Sequence, residues 1–226
     1  MNYAICFVYK TNRNLTICVC YNLIMKDEIE VKFASVDHDE IREKLKVLGA
    51  KCVKPMRLMN RANFDIKGRE KERAFVRVRD EGDGKVTVTY KEFFSDKDVQ
   101  EAETFANSFD EAMDFCKAIG LLYKSCQEQK RETWTFEDYE IVLDEWPWLD
   151  PLMEIEAPNF EKLKEFSEKL GFDFDDGVYG DITDVYRVQY PHIPRPAQIG
   201  ILPEMKFGTP LPDYLNPEIK LERYGK

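Results

Sequence analysis

Histidine is nearly missing from this chain, with only His38 and His192 among 226 residues. The six cysteines, at 6, 18, 20, 52, 116 and 126, form no Cys-x-x-Cys pair and no spaced set with either histidine. Those two scarcities argue against a zinc site and against a disulfide framework. Scattered thiols suit a reducing compartment, so a cytoplasmic location is expected. Basic charge is in deficit, 33 Lys and Arg against 43 Asp and Glu, for a formal net charge of −10. A surface of that sign suits neither nucleic acid nor an anionic membrane, since both are polyanions themselves. The expected partner is therefore a small molecule, with the protein a monomer or homodimer. No long apolar run is present either: the head, MNYAICFVYKTNRNLTICVCYNLI, is cut by KTNRN, too short to span a bilayer and without a signal-peptide layout. Residues 1–24 read as an extra β-prone segment or as an extension upstream of a start at Met25, and the second reading is preferred. The domain is accordingly placed at 25–190. Proline is sparse until residues 191–226, which hold seven of the eleven. At that density neither a helix nor a central strand can continue, so an extended tail wrapping the domain is expected.

Alternation is what the chain has in quantity. In DEIEVKFA (27–34), Ile29, Val31 and Phe33 point one way while Glu28, Glu30 and Lys32 point the other. LMEIEAP (152–158) repeats the pattern with Glu154 and Glu156. Between them, DHDEIREKLKVLG predicts a helix capped by Asp37 or Asp39 and stopped at Gly49. Residues 51–66 read as a long, irregular strand. RAFVRVRD and KVTVTYKEF are alternating strands joined by EGDG, a hairpin signal. A helix over 108–119 follows, then the strand pair KRETWTF and YEIVLDE, and a last helix in NFEKLKEFSEKLG. The strand–helix–Leu-Gly unit occurs twice, a weak internal repeat. At least seven antiparallel-type strands with few helices predict a barrel-like closure, which removes exposed edges.

Parity places the charges. Arg77 and Arg79 share one face of their strand; Lys85, Thr87, Thr89 and Lys91 share one face of the next. Arg131 lines up with Thr133, and Glu140 and Asp144 with Val142. The ordinary reading puts apolar faces in a core and charged faces in water. Two features oppose it: the charges sort by sign from strand to strand, and the helices can cover the apolar faces from outside. The charged faces then look into the barrel, around water, metal and a charged ligand. Lys32, Arg77, Arg79, Lys91 and Arg131 suit a polyphosphate, whose oxygens guanidinium forks grip in pairs. Glu28, Glu30, Asp144, Glu154 and Glu156 suit Mg²⁺ or Mn²⁺, hard ions that prefer oxygen.

The ordered set of Glu28, Glu30 and Lys32 as E-x-E-x-K, then R-x-R, TYK, a Lys-Arg strand, LDE and a final EIE resembles the CYTH family of triphosphate tunnel metalloenzymes. That family includes class IV adenylyl cyclases, thiamine triphosphatases and inorganic triphosphatases, and the likeness spans about residues 25–190. It implies an α+β fold, a closed eight-stranded antiparallel β-barrel (the tunnel) with flanking helices. It also implies that Lys32, Arg77, Arg79, Lys91 and Arg131 bind substrate, with Lys32 and Arg131 acting in catalysis. The implied metal ligands are Glu28, Glu30, Asp144, Glu154 and Glu156, holding Mg²⁺ or Mn²⁺. Lys85 and Lys130 are either further phosphate contacts or solvated, and Glu140 and Glu145 compete with Asp144 through a slip in register. The expected activity is metal-dependent hydrolysis of inorganic, thiamine or nucleoside triphosphate. The alternative is cyclisation of ATP to cyclic AMP and pyrophosphate, and a non-catalytic polyphosphate-binding module is the remaining reading. The tail departs from the compact family pattern and could cover one tunnel mouth.

Overall fold

The computed structural model describes residues 3–10, 16–23, 26–69, 73–95, 97–194 and 199–218, with side chains from residue 29 onward. At the head, β1 (Tyr3–Lys10) and β2 (Thr16–Leu23) form a separate antiparallel hairpin, in register from Tyr3–Leu23 to Lys10–Thr16. Met25, the expected start of the domain, lies outside the described residues.

The main sheet begins with β3 (Lys26–Glu28) and β4 (Glu30–Phe33), two halves of one strand interrupted at Ile29. It continues with β5 (Lys51–Asp65), β6 (Ala74–Asp80), β7 (Val86–Ser95) and β8 (Asp98–Ala106). β9 (Leu122–Phe136), β10 (Tyr139–Glu145) and β11 (Leu152–Glu156) follow. The order is β3-β8-β7-β6-β5-β9-β10-β11-β4, so the interrupted first strand stands at both ends. β12 (Glu204–Met205) adds in parallel to β9. Counting β3 and β4 as one strand and setting β12 aside, eight antiparallel strands close on themselves, as the resemblance implies. Past Glu28, β4 meets residue 178 on the side away from β11. Lys32 and Val178 exchange both backbone hydrogen bonds there, at 3.0 and 2.8 Å.

Strand parity decides what faces in. One face of the sheet carries Val31, Phe33, Ile141, Leu143, Met153 and Ile155, and two helices cover it from outside. These are α1 (His38–Leu48), capped by Asp37 and ended by Gly49, and α3 (Phe160–Lys169), capped by Asn159. They bury Ile41, Leu45, Leu163 and Phe166 against the strands. Around the barrel, α2 (Phe109–Ala118), capped by Ser108, covers Ala62, Phe64, Val78 and Val86. With apolar residues outward under helices, the alternate residues of each strand must point inward. The β6–β7 turn needs its glycine: Gly82 has φ +71°, and a Cβ there would sit 2.1 Å from the Leu58 carbonyl oxygen.

α4 (Ile182–Gln189), capped by Asp181, contributes to a further core cluster. Val185 and Tyr186 cluster with Trp146 and Leu152, and Ile193, Ile199, Met205, Tyr214 and Leu215 complete the group. The proline-rich stretch is therefore packed where it is described, in short 3₁₀ turns at Ile199–Ile201 and Asp213–Leu215. Among the described residues, no helix is long and apolar enough to cross a membrane.

Candidate active site

The inward faces enclose a cavity of about 1090 Å³. Of the expected phosphate-binding residues, Lys32, Arg77, Arg79, Lys91 and Arg131 all line it. Of the expected metal ligands, Glu30, Asp144, Glu154 and Glu156 do so. Glu28 pairs with Val99 through its backbone, but its side chain lies outside the described residues. The register question about Glu140 resolves simply, since Glu140 and Asp144 both line the cavity. Glu145 instead pairs with Lys130 at 2.9 Å, and Lys130 lies over the Phe207 ring. Lys85 is exposed just before β7.

Three of these bases are held in place by acids. Arg131 donates from Nε and Nη2 to the two oxygens of Asp144, at 2.7 and 2.6 Å, and Gln129 adds a third bond to Asp144 at 2.6 Å. Burial lowers the Arg131 pKa, but the Asp144 and Glu154 charges outweigh it and raise it well above the ordinary value. As placed, Asp144 orients Arg131, both of its oxygens being already engaged. Arg79 donates to Glu81 at 2.6 Å, and Thr87 donates to the same carboxylate oxygen at 3.1 Å. Burial pushes the Glu81 carboxyl up, yet the Arg79 guanidinium and these hydrogen bonds hold it below its usual value. The Lys32 ammonium contacts Glu30, lies 3.7 Å from Glu154 and donates to the Gly180 carbonyl at 3.1 Å. Glu154 is also 3.7 Å from Arg131.

The acids form a row. Glu140, Glu156 and Glu30 are directly opposite one another across β10, β11 and β4. Like charges paired this way repel. Among the described residues no three carboxylates already converge closely enough to enclose an ion. The chemistry of the row nevertheless fits a hard divalent cation, which prefers carboxylate oxygens and would offset their repulsion across adjacent strands.

Other lining residues went unread in the sequence. Arg61, Asn63 and Asp65 alternate with buried Ala62 and Phe64 along β5, a parity signal obscured by register shifts near Cys52, Lys54 and Arg57. Glu101 and Glu103 enter from β8, and Asp184 and Arg187, ion-paired at 2.6 Å, enter from α4.

The model of the CYTH domain matches residues 26–177, well over half of the chain. A search of curated proteins finds no match. Among solved structures, the PH1012 protein of Pyrococcus horikoshii is 24% identical, with a TM-score of 0.57 over 66% of this chain and 93% of that one. A protein of Vibrio parahaemolyticus, provisionally named an adenylate cyclase, reaches a TM-score of 0.62 at 14% identity, over 71% of this chain and 97% of that one. A conserved protein of Pyrococcus furiosus has a TM-score of 0.57 at 18% identity, over 66% and 94% of the two chains. At these identities the structures speak for the fold, and the fold agrees with the domain match. The chain belongs to the CYTH domain family.

Proposed function

We propose that this protein is a divalent-metal-dependent triphosphatase that hydrolyses its substrate inside the barrel. One observation carries the reading: a wall of guanidinium groups and a row of carboxylates line the same cavity. A phosphate chain is the ligand that answers both, accepting hydrogen bonds from the arginines and sharing a cation with the acids. Arg77, Arg79 and Arg131 grip non-bridging oxygens with paired N–H donors. Lys32, fixed by Glu30, Glu154 and the Gly180 carbonyl, supplies a positioned point charge beside the acid row, where negative charge gathers as a phosphate leaves. Mg²⁺ or Mn²⁺ held by Glu30, Glu140 and Glu156 would neutralise phosphate charge and orient the attacking water. Hydrolysis needs only this grip and a water molecule.

A second reading, cyclisation of ATP, draws on a different feature. Phe75 and Phe93 stack with centroids 6.4 Å apart and line the cavity beside Lys91, an apolar surface for a nucleobase. Incubation with inorganic, thiamine and adenosine triphosphates under Mg²⁺ and Mn²⁺, with products resolved by chromatography, separates the two. Orthophosphate is the expected product. Cyclic AMP with pyrophosphate would favour the cyclase, and no turnover of any substrate with either metal would overturn both.

A further inference from the structure

Arg61 leaves β5 directly opposite Arg79 on β6 and Gln127 on β9. Its guanidinium lies 4.0 Å from the centroid of the Trp146 ring, and Nη2 donates to Oε1 of Gln129 at 3.0 Å. Its Nε is buried without a hydrogen-bond partner. Nearby cations are met by carboxylates, Arg79 by Glu81 and Arg131 by Asp144. Arg61 is met by a neutral amide and an indole face. Burial, then the charges of Arg77, Arg79 and Arg131, push its pKa well below the ordinary value. Arginine keeps its proton in proteins, so that direction describes how poorly the empty cavity solvates this cation.

Sheet order says what Arg61 adds. Arg77 and Arg79 stand on β6 and Arg131 on β9, with β5 between them. Neighbouring strands lie about 4.8 Å apart, so the two outer grips are roughly 10 Å apart across the sheet at their backbones, and they are also offset along it, Arg79 standing opposite Arg61 and Arg131 opposite Arg57. A short anion engages one grip; a longer chain crosses β5 to reach both. Stacking on Trp146 holds the Arg61 plane still while its donor edge stays available. We propose that Arg61 is a phosphate-binding residue that joins the Arg77–Arg79 grip to Arg131 and selects a chain of three phosphates over two. This deepens the triphosphate reading above and rests on it.

The test is calorimetric titration of the full chain with inorganic triphosphate and with pyrophosphate, each without metal. The wild type should bind triphosphate more tightly. Arg61→Met should weaken triphosphate binding roughly 10- to 100-fold, the loss of a charged hydrogen bond, and leave pyrophosphate affinity essentially unchanged. Arg61→Lys, which keeps the charge but loses the fork, should fall between. The melting temperature of ligand-free Arg61→Met should equal or exceed that of the wild type, because a poorly solvated cation is gone. Equal weakening toward both ligands, unchanged triphosphate affinity, or a lower melting temperature would each overturn the assignment. Triphosphate binding that survives in Arg61→Met removes only the role of Arg61; a wild type that binds neither phosphate removes the reading of the cavity itself.

Discussion

Glu154 lies 3.7 Å from both the Lys32 ammonium and the Arg131 guanidinium, inside the barrel. Burial pushes its carboxyl pKa up, but Lys32 first and Arg131 next outweigh burial and hold it well below the usual range. Glu154→Gln should therefore destabilise the metal-free protein, by about 1–3 kcal/mol in denaturant titrations at pH 7. A depressed carboxyl contributes stability above its unfolded pKa of about 4.3 and loses it as pH falls toward the folded value. The gap between wild type and variant should thus narrow below about pH 4; a gap that widens there would contradict the pairing. Parity alone suggests the opposite sign, because Glu154 and Glu156 read as two carboxylates aimed together into a crowd of like charge. Register supplies the missing term. Lys32 stands opposite Glu154 while Glu30 stands opposite Glu156, so Glu154 meets a cation across the sheet where Glu156 meets another acid. The face of each of these residues was legible in the sequence; its cross-strand neighbour was not.

Among the elements, residues 177–180 hold the seam where β4 leaves β8, and Gly177 makes that fit possible. A Cβ at Gly177 would sit 2.4 Å from Cγ2 of Val31 and 3.0 Å from the Phe174 carbonyl oxygen. Val31 is fully buried under α1 and α3 and has nowhere to go. Gly177→Ala should cost about 1–3 kcal/mol and, by displacing the Gly180 carbonyl that holds Lys32, weaken triphosphate binding as well. Thermal melts and calorimetry check both, and a variant as stable as wild type would contradict the seam. Strands with one apolar face, such as β6, β7 and β10, were legible because burial on one side forces alternation. β8 was missed because neither of its faces reads as apolar: Glu101 and Glu103 point into the cavity, and Ala102 and Thr104 alternate with them. The C-terminal stretch was expected to wrap the domain, but which of its residues pack was not legible, since its prolines hide apolar residues that lack any period. Leu215, fully buried among Trp146, Tyr186 and Tyr214, tests that packing. Leu215→Ala should lower stability by about 2–5 kcal/mol, and a loss near zero would mean the cluster contributes little.

For the molecule as a whole, charge is sorted twice. The chain carries a net charge of −10, yet its barrel gathers arginines and lysines on an inner wall facing a row of acids. An acidic exterior disfavours extended polyanions, whereas a small one that enters the barrel meets concentrated positive charge. Binding such a ligand should stabilise the fold by about 2.7 kcal/mol at a hundredfold excess over its Kd. The claim that the interior is a triphosphate site is tested most directly by calorimetric titration of inorganic triphosphate into the wild type and Arg77→Ala. Saturable one-to-one binding is expected, weakened roughly 10- to 100-fold in Arg77→Ala while the melting temperature of the ligand-free variant holds. Equal affinity in the two proteins would contradict the account.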